Sequence, residues 1–257
     1  MKQIVKNFQK YRFLLYELVV KEIKLKYRKS YLGILWTLIE PLLTMIVLYL
    51  VFSKLRKHND RTFAVYILTG RLLYSYFSGA TKAAMKSIRK NSQMIKKVYV
   101  PKYIYPFASV LSQFVTFLIS LVVLAAVAIV LKVKPTIYIF EAIIPIIILF
   151  FMALGVGLIL ATLSVFFRDM EYLWDVVLMI IMYCSAIFYY PSMVSDNSWI
   201  LNMNPLYAVI YNFRNTILEG APLAPGALAY SVTFSLISLV VGIVMFYKNQ
   251  DKFILHL

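Results

Sequence analysis

The sequence has few of the residues on which most enzymes and metal proteins depend. It contains one cysteine, Cys184, and two histidines, His58 and His256, in 257 residues. One cysteine excludes an intrachain disulfide and a cysteine-based zinc site, and two distant histidines leave little material for a catalytic centre. The phosphate-binding motif G-x-x-x-x-G-K-[ST] is absent, as are H-E-x-x-H and G-x-S-x-G. We therefore expect no catalytic residues, no metal site and no ATP hydrolysis on this chain.

Charged residues are also scarce, and apolar residues dominate. Only 15% of the residues are charged and 62% are hydrophobic, with a mean hydropathy of +0.78. A soluble domain has about 25% charged residues. Six stretches carry at most one charge each and reach the length of about 20 residues that crosses a bilayer. They are Ile34–Ser53, Thr62–Thr81, Ile104–Leu131, Ala142–Phe167, Val176–Ser195 and Ala221–Tyr247. The sequence predicts an all-α integral membrane protein with six transmembrane helices in a single domain, 1–257.

The basic residues predict the orientation of these spans. The chain has 27 Lys and Arg against 11 Asp and Glu, and basic loops favour the cytoplasmic side. If the segments 1–33, 82–106, 168–173 and 248–257 share one side, that side holds 19 basic residues and the other holds seven. Both termini are therefore predicted to be cytoplasmic. Four basic residues between the first two spans oppose this orientation, namely Lys54, Arg56, Lys57 and Arg61.

Three segments outside the spans have their own patterns. Residues 4–29 combine apolar residues at helical spacing with a narrow basic stripe, which predicts an amphipathic helix at the membrane interface within segment 1–33. This helix serves either as an anchor or also as a docking surface. Residues 85–106 form a basic cytoplasmic loop with a short helix, which is either solvated or a partner contact. Residues 191–225 are apolar but broken by prolines, which predicts short re-entrant helices on the outer side.

Ionisable and aromatic residues within the spans are the candidates for a transport pathway. Only Arg71 lies deep in a span, and no acidic residue lies at a clearly matching depth, so we expect it to face an anionic group. Aromatic residues on two spans suit stacking on sugar rings, although packing or contact with lipid explains them as well. They are Tyr74, Tyr76, Phe77, Tyr183, Phe188, Tyr189 and Tyr190. Small residues at four-residue spacing, as in Ser75/Gly79, Ala153/Gly157 and Gly157/Ala161, predict close helix packing.

Four short motifs together resemble a known family. They are Leu25 to Trp36 followed by Pro41, the stretch from Asn91 to Pro106, Phe166-Phe167-Arg168-Asp169, and Asn204-Pro205-Leu206 with Arg214. In this order they are similar to the membrane permease of type-2 ABC exporters, in the branch that exports lipid-linked O-antigen, capsule or teichoic acid. The resemblance covers nearly the whole chain. Arg71 departs from it, because the family usually has apolar residues at this point.

The resemblance implies partners, a location and residue roles. Two copies of the chain would pair in the cytoplasmic membrane of a bacterium with two copies of a separate ATPase, which would carry ATP and Mg. The ligand would be a lipid-linked glycan among membrane lipids, and no nucleic acid is expected. The implied ATPase-coupling residues are Asn91, Met94, Lys96, Lys97, Val100, Pro101, Arg168 and Asp169. The implied substrate entrance comprises Arg28, Leu32, Gly33, Trp36 and Glu40. The implied outer gate comprises Pro191, Asn204, Pro205 and Arg214.

Two alternatives to polysaccharide export stay open at this point. The same architecture could carry a drug or a peptide, or the chain could be a membrane scaffold without transport. A neighbouring gene for an ATPase favours export, and neighbouring glycosyltransferase genes favour polysaccharide. The sequence does not identify the polymer or its lipid carrier.

Overall fold

A computed structural model of the protein describes residues 2–28, 30–54, 62–97, 100–191 and 198–256. Most residues in these ranges are helical, and none forms a strand. The longer helices are α1 (Lys2–Tyr27), α2 (Trp36–Lys54), α3 (Thr62–Lys90), α5 (Ile104–Val130), α6 (Ile143–Phe166), α7 (Met170–Tyr183), α9 (Pro205–Arg214) and α10 (Pro225–Asn249). The shorter ones are α4 (Ser92–Lys97), α8 (Ser198–Asn202), α11 (Phe253–His256), the 3₁₀ turns Gly33–Leu35, Ile137–Ala142 and Gln250–Lys252, and the π-helix Asn215–Glu219. The predicted all-α class is confirmed.

Four described segments are long and apolar enough to cross a membrane. They are Gly33–Phe52, Ile104–Val130, Ile137–Phe166 and Pro225–Leu255. They match the first, third, fourth and sixth predicted spans. The second predicted span lies within α3, which continues to Lys90 and carries too many polar and basic residues to meet the same criterion.

The fifth predicted span is wrong as a continuous helix over 176–195. The helix α7 begins earlier, at Met170, and ends at Tyr183. The chain then turns through Ala186, which has a left-handed φ of 47°. Side chains from other helices bind the carbonyl groups of this turn, so the backbone is satisfied without a helix.

Helix α3 is the centre of the bundle. It packs along α5 and α6, while α10 packs along α6, α1 along α5, and α2 against both α3 and α5. One face of α3 is completely buried, with Val65, Leu68, Leu73, Ala80 and Ala84 fully shielded. The polar composition of α3 is therefore compatible with a membrane bundle, because its neighbours rather than lipid cover most of its surface.

The amphipathic N-terminal segment forms the predicted helix, and an acidic residue fixes its position. The Glu22 carboxylate accepts hydrogen bonds from the hydroxyls of Ser109 (2.7 Å) and Ser112 (2.8 Å) on α5. Glu22 interrupts the apolar pattern of α1, and these bonds explain the interruption. The stripe residues Lys10, Lys21, Lys24 and Arg28 are exposed. Predicted side-chain positions at residues 4, 6 and 8 lie outside the described side chains, as do the four basic residues 54, 56, 57 and 61.

Glycines allow the closest helix crossings. A Cβ atom added at Gly155 of α6 would lie 2.5 Å from the backbone of Leu239 on α10, and one at Gly242 would lie 2.5 Å from the carbonyl oxygen of Gly155. Among the predicted small-residue positions is Gly157, where an added Cβ atom would lie 2.9 Å from the Cβ atom of Ala84 on α3. The four-residue spacing thus finds the α3–α6 contact but misses the tighter α6–α10 crossing.

We expect Gly155→Ala to destabilise the bundle. The new methyl group meets backbone atoms that cannot rotate away, and overpacking of this kind costs about 1–3 kcal/mol. The melting temperature of the detergent-purified protein measures the effect. Gly226→Ala is the matched control, since a Cβ atom at Gly226 has no neighbour within 4 Å. Equal melting temperatures for the two variants would contradict the assigned crossing.

Candidate functional site

A polar cleft lies between the end of α1, the first half of α2 and the middle of α3 and α5. Its volume is about 260 Å³. The charged and polar residues that line it include Lys26, Glu40, Arg71, Gln113, Thr116 and Ser120. Charged groups within a bundle of apolar helices are costly and usually mark the path or binding site of a polar ligand. We define these residues and the space between them as the cleft.

Arg71 is the central cation of the cleft. Its guanidinium carbon lies 5.8 Å from the ring centroid of Tyr74, one turn further along α3. Among the described residues, no carboxylate lies within ion-pairing distance of Arg71. The expectation that Arg71 lacks an acidic partner therefore agrees with the geometry, although Glu40 lines the same cleft. The guanidinium is free to meet an anion that enters.

The cleft carries a net positive charge. Lys26 and Arg71 contribute two cations and Glu40 one anion. Burial lowers the pKa of the Lys26 ammonium, and the nearby Glu40 carboxylate raises it. Arg71 is half-buried and Lys26 is exposed, so the cleft presents both cations to an anionic group that enters it.

A buried hydroxyl in the cleft wall lacks a partner. Tyr76 is only 3% exposed, and its ring packs on Phe114 and Phe117 with centroids 5.5 and 5.1 Å away. Its hydroxyl has no hydrogen-bond partner within the described part of the chain. Such groups are rare in folded proteins, because each loses its bonds to water on burial. Tyr76 is one of the residues that line the cleft.

The predicted pathway aromatics fall into separate environments. Tyr74 lines the cleft and donates its hydroxyl to the carbonyl of Leu178 (3.0 Å). Phe77 is buried against Trp174 of α7, so it does not line the cleft. Tyr183, Phe188 and Tyr189 lie together at the end of α7, where the Tyr189 hydroxyl donates to the carbonyl of Tyr183 (2.7 Å). The structure thus brings Tyr74, together with Tyr76 of the cleft wall, into the same cleft as Arg71.

The predicted entrance residues form the turn between α1 and α2, beside the cleft. Gly33 has a φ of 50°, which a glycine adopts without strain. Arg28, Leu32 and Trp36 are exposed around it. Glu40, one turn further on, is the one member of this set that lines the cleft.

The outer-gate residues surround the turn that follows α7. Asn204 begins α9: its side-chain oxygen accepts from the Leu206 amide (3.0 Å), and its side-chain nitrogen donates to the carbonyl of Cys184 (3.0 Å). Pro205 is the first residue of α9, where proline is favoured. Pro191 is partly buried at the end of the turn, and residues 192–197 lie outside the described ranges.

Arg214 is the most deeply buried cation of the described residues, which corrects the view that only Arg71 is deep. It is 4% exposed and donates to the carbonyls of Tyr66 (2.9 Å) and Ala186 (3.0 Å). Its guanidinium carbon lies 3.4 Å from the centroid of the Tyr66 ring. These contacts join α9 to α3 and to the turn after α7. The sequence offered no signal for this role, because the acceptors are backbone carbonyls.

The predicted coupling residues gather at one end of the bundle. Met94, Lys96 and Lys97 are exposed on α4. Asn91 donates to the carbonyl of Ser87 (2.8 Å), and Val100 and Pro101 lead into α5. Arg168 and Asp169 are exposed before α7.

Ion pairs join the end of α3 to the start of α7. Lys82 pairs with Asp175 (2.7 Å) and Lys86 with Glu171 (2.9 Å), and Arg89 binds both Glu171 and the carbonyl of Ser164. These pairs hold the start of α7, which follows Arg168 and Asp169, against the end of α3, which leads into α4.

Comparison with known proteins assigns the family. Residues 14–218 match the ABC-2 type transporter family. The chain belongs to this family. It is 28% identical over 236 residues to the O-antigen export system permease protein RfbA of Klebsiella pneumoniae, covering 91% of this chain and 90% of that protein. It is 26% identical to RfbA of Myxococcus xanthus over 84% of this chain and 85% of that protein. It is 24% identical to the polysialic acid transport protein KpsM of Escherichia coli over 91% and 92% of the two chains.

The match confirms the resemblance seen in the motifs, and the ABC-2 assignment covers the helices that form the cleft. Sequence reasoning found Glu40, Arg71 and Tyr74 but placed them in different functional sets. It named Tyr76 among the aromatic candidates but missed Lys26 and Gln113 as members of the site. Gln113 lies in a predicted span without charges, so a search for charged residues could not find it. Polar amides and hydroxyls at the same depth in neighbouring spans are the signal that would have found it.

Proposed function

We propose that this ABC-2 permease exports a lipid-linked cell-surface polysaccharide, such as O-antigen, capsule or teichoic acid, across the cytoplasmic membrane of a bacterium. The observation that carries the proposal is the cationic cleft at Arg71 within an otherwise apolar bundle. A lipid-linked glycan joins its sugars to the lipid through phosphate, which this cleft suits. The relatives named for O-antigen and polysialic acid transport support polysaccharide as the cargo.

In the proposed assembly, two copies of the chain pair, and two copies of a separate ATPase hydrolyse ATP with Mg. Each copy crosses the membrane six times, through α2, α3, α5, α6, α7 with its following turn, and α10. The 29 residues of α3 extend about 43 Å at 1.5 Å per residue, enough for a crossing. The 14 residues of α7 extend about 21 Å, and the turn around Ala186 completes that crossing with its carbonyls bound by protein.

The test of this function is co-purification with the ATPase encoded beside it, followed by glycan analysis of a deletion strain. We expect the two chains to purify together and the lipid-linked glycan to accumulate inside the deletion strain. Wild-type chain should restore export. Normal surface polysaccharide in the deletion strain would refute the function.

The proposed orientation gives a topology prediction. A tag at position 58 should be accessible from outside, whereas tags at positions 93 and 257 should be accessible only from inside. The reason is the 19-to-7 distribution of basic residues. Protease or antibody access in intact and permeabilised cells measures it. Outside access at position 93 would refute the orientation.

The surface at α4 gives a coupling prediction. Lys96→Glu with Lys97→Glu, or Pro101→Leu, should weaken ATPase docking while the helices still insert, because both lysines are exposed and Pro101 is half-buried at the proposed contact. Co-purification yield and stimulation of ATP hydrolysis measure docking. Lys132→Glu with Lys134→Glu is the matched control, since these lysines are exposed on the proposed outer side. Equal docking by both double variants would show that the α4 surface is merely solvated.

A further inference from the structure

An apolar groove of about 620 Å³ runs between α2 and α5 next to the cleft. Its walls include Leu42, Met45, Leu50, Val127 and Val130, and Ala64 of α3 also lines it. Two relations in the sequence show that the groove prolongs the cleft. Val127 lies seven residues, or two turns, beyond Ser120 of the cleft, and Ala64 lies seven residues before Arg71, so each pair shares one helix face.

The two spaces divide the thickness of the bundle. The 19 residues of α2 extend about 28 Å, close to the hydrocarbon thickness of a bilayer. Residues 37–44 of α2 line the cleft and residues 42–50 line the groove. A ligand that fills both spaces is therefore polar over one half of the membrane and apolar over the other.

The chemistry of the polar half selects an anion with several acceptor oxygens. Arg71 offers a guanidinium without a carboxylate partner among the described residues, and Lys26 adds a second cation. Gln113, Thr116 and Ser120 add polar side chains to the lining of the same cleft. Phosphate and diphosphate groups present the charge and the oxygens for such donors.

We propose that the cleft and the groove together bind the lipid carrier of the exported glycan, with its phosphate groups at Arg71 and its hydrocarbon chain along Leu50 and Val127. This proposal rests on the proposed function and adds the place where one protomer holds the lipid. The carrier is bound within a single chain, along the seam between α2 and α5.

The depth of Arg71 favours a lipid in transit over a resident phospholipid. Arg71 lies nine residues, or about 14 Å, from the beginning of α3. A resident phospholipid keeps its phosphate at the surface of the hydrocarbon core, which is about 30 Å thick, so its chains end near the middle. A resident phospholipid would therefore either keep its phosphate far from Arg71 or place its hydrocarbon chains in the polar cleft. A carrier that is being moved has its phosphate at this depth.

Photolabelling of the full-length protein in lipid nanodiscs tests the site. The probe is an isoprenyl diphosphate with a benzophenone at the end of its chain. We expect labelled peptides from residues 42–50 and 126–131, and competition by unlabelled isoprenyl diphosphate. Ala126→Trp fills the groove and should reduce labelling at least tenfold, as should Val130→Trp. Arg71→Leu should raise the half-saturating probe concentration about tenfold or more.

Ala125→Trp is the matched control, because Ala125 is also exposed on α5 but does not line the groove. It should label like the wild type. Labelling that survives both groove variants in folded protein, or that maps elsewhere, overturns the site. Competition by phosphatidylglycerol as strong as that by isoprenyl diphosphate also overturns it and identifies a resident lipid. Export measured on the same preparations separates the two proposals: a wild type that exports without labelling refutes only this site.

Discussion

Replacement of Arg214 by methionine is expected to destabilise the protein by about 2–4 kcal/mol and to free the turn that follows α7. Methionine keeps an apolar stem but cannot donate to the carbonyls of Tyr66 and Ala186, and each weakened buried acceptor costs about 1–3 kcal/mol. It also removes the cation that stacks on the Tyr66 ring. Lysine should rescue the protein only in part, because a point charge cannot reach acceptors on opposite sides as the planar guanidinium does.

Cys184 provides a native probe for this effect. It is the only cysteine in the chain, and it lies in the turn whose carbonyl groups Arg214 and Asn204 bind. The rate at which a maleimide labels Cys184 should rise at least tenfold in Arg214→Met, together with a lower melting temperature. Arg12→Met is the matched control, because Arg12 is exposed on α1. Unchanged labelling of Cys184 would show that the turn holds its shape without Arg214.

Gly70 of α3 lies on the other side of the Arg214 contact, and its replacement should also increase the labelling of Cys184. A Cβ atom at Gly70 would lie 2.5 Å from a guanidinium nitrogen of Arg214. Gly70→Ala should therefore displace the guanidinium and give a smaller rise in Cys184 labelling. The glycine precedes Arg71 in the sequence, so neighbouring residues of α3 accommodate one arginine and present the other to the cleft.

Hydropathy predicted the helices that are apolar along their whole length. The spans at α2, α5, α6 and α10 are apolar throughout, so length and composition define them. The basic stripe of α1 and the prolines of 191–225 likewise predicted an amphipathic helix and short helices. These features depend on local sequence alone.

Hydropathy failed where tertiary contacts replace local ones. Helix α7 ends early because Asn204, Tyr66 and Arg214, all distant in the sequence, bind the carbonyls of the next turn. The family resemblance placed Arg214 in the outer gate, but it did not show that the side chain is buried within the bundle. The residue pattern of a single helix does not show which backbone oxygens a distant side chain will bind.

The cleft was predicted in part for a similar reason. A lone arginine in an apolar stretch is visible in the sequence, and Arg71 was found in this way. Its neighbours Lys26 and Gln113 come from the end of α1 and from α5, and only the packing of four helices brings them together. The sequence therefore identified the central cation of the cleft but not the set of residues around it.

Replacement of Arg71 by leucine is expected to abolish export while leaving the protein folded. The guanidinium that leucine replaces supplies a positive charge and several N–H donors. In the cleft it meets the anionic group of the substrate without competition from a described carboxylate. Loss of two charge-assisted bonds at about 1.5–3 kcal/mol each corresponds to a decrease in export of at least about a hundredfold.

Three comparisons make the Arg71 prediction specific to transport. Arg71→Lys should keep partial export, since an ammonium still meets a phosphate but cannot bind two of its oxygens in one plane. Lys134→Leu removes an exposed cation outside the cleft and should export like the wild type. Arg71→Leu should still co-purify with its ATPase and melt near the wild-type temperature, because Arg71 makes no described ion pair that holds the bundle together. Full export by the leucine variant would show that Arg71 only faces water, and loss of folding would assign it to the structure of the bundle. If Arg71→Leu loses export but not folding, and Arg71→Lys restores part of the export, an anion must pass through the cleft.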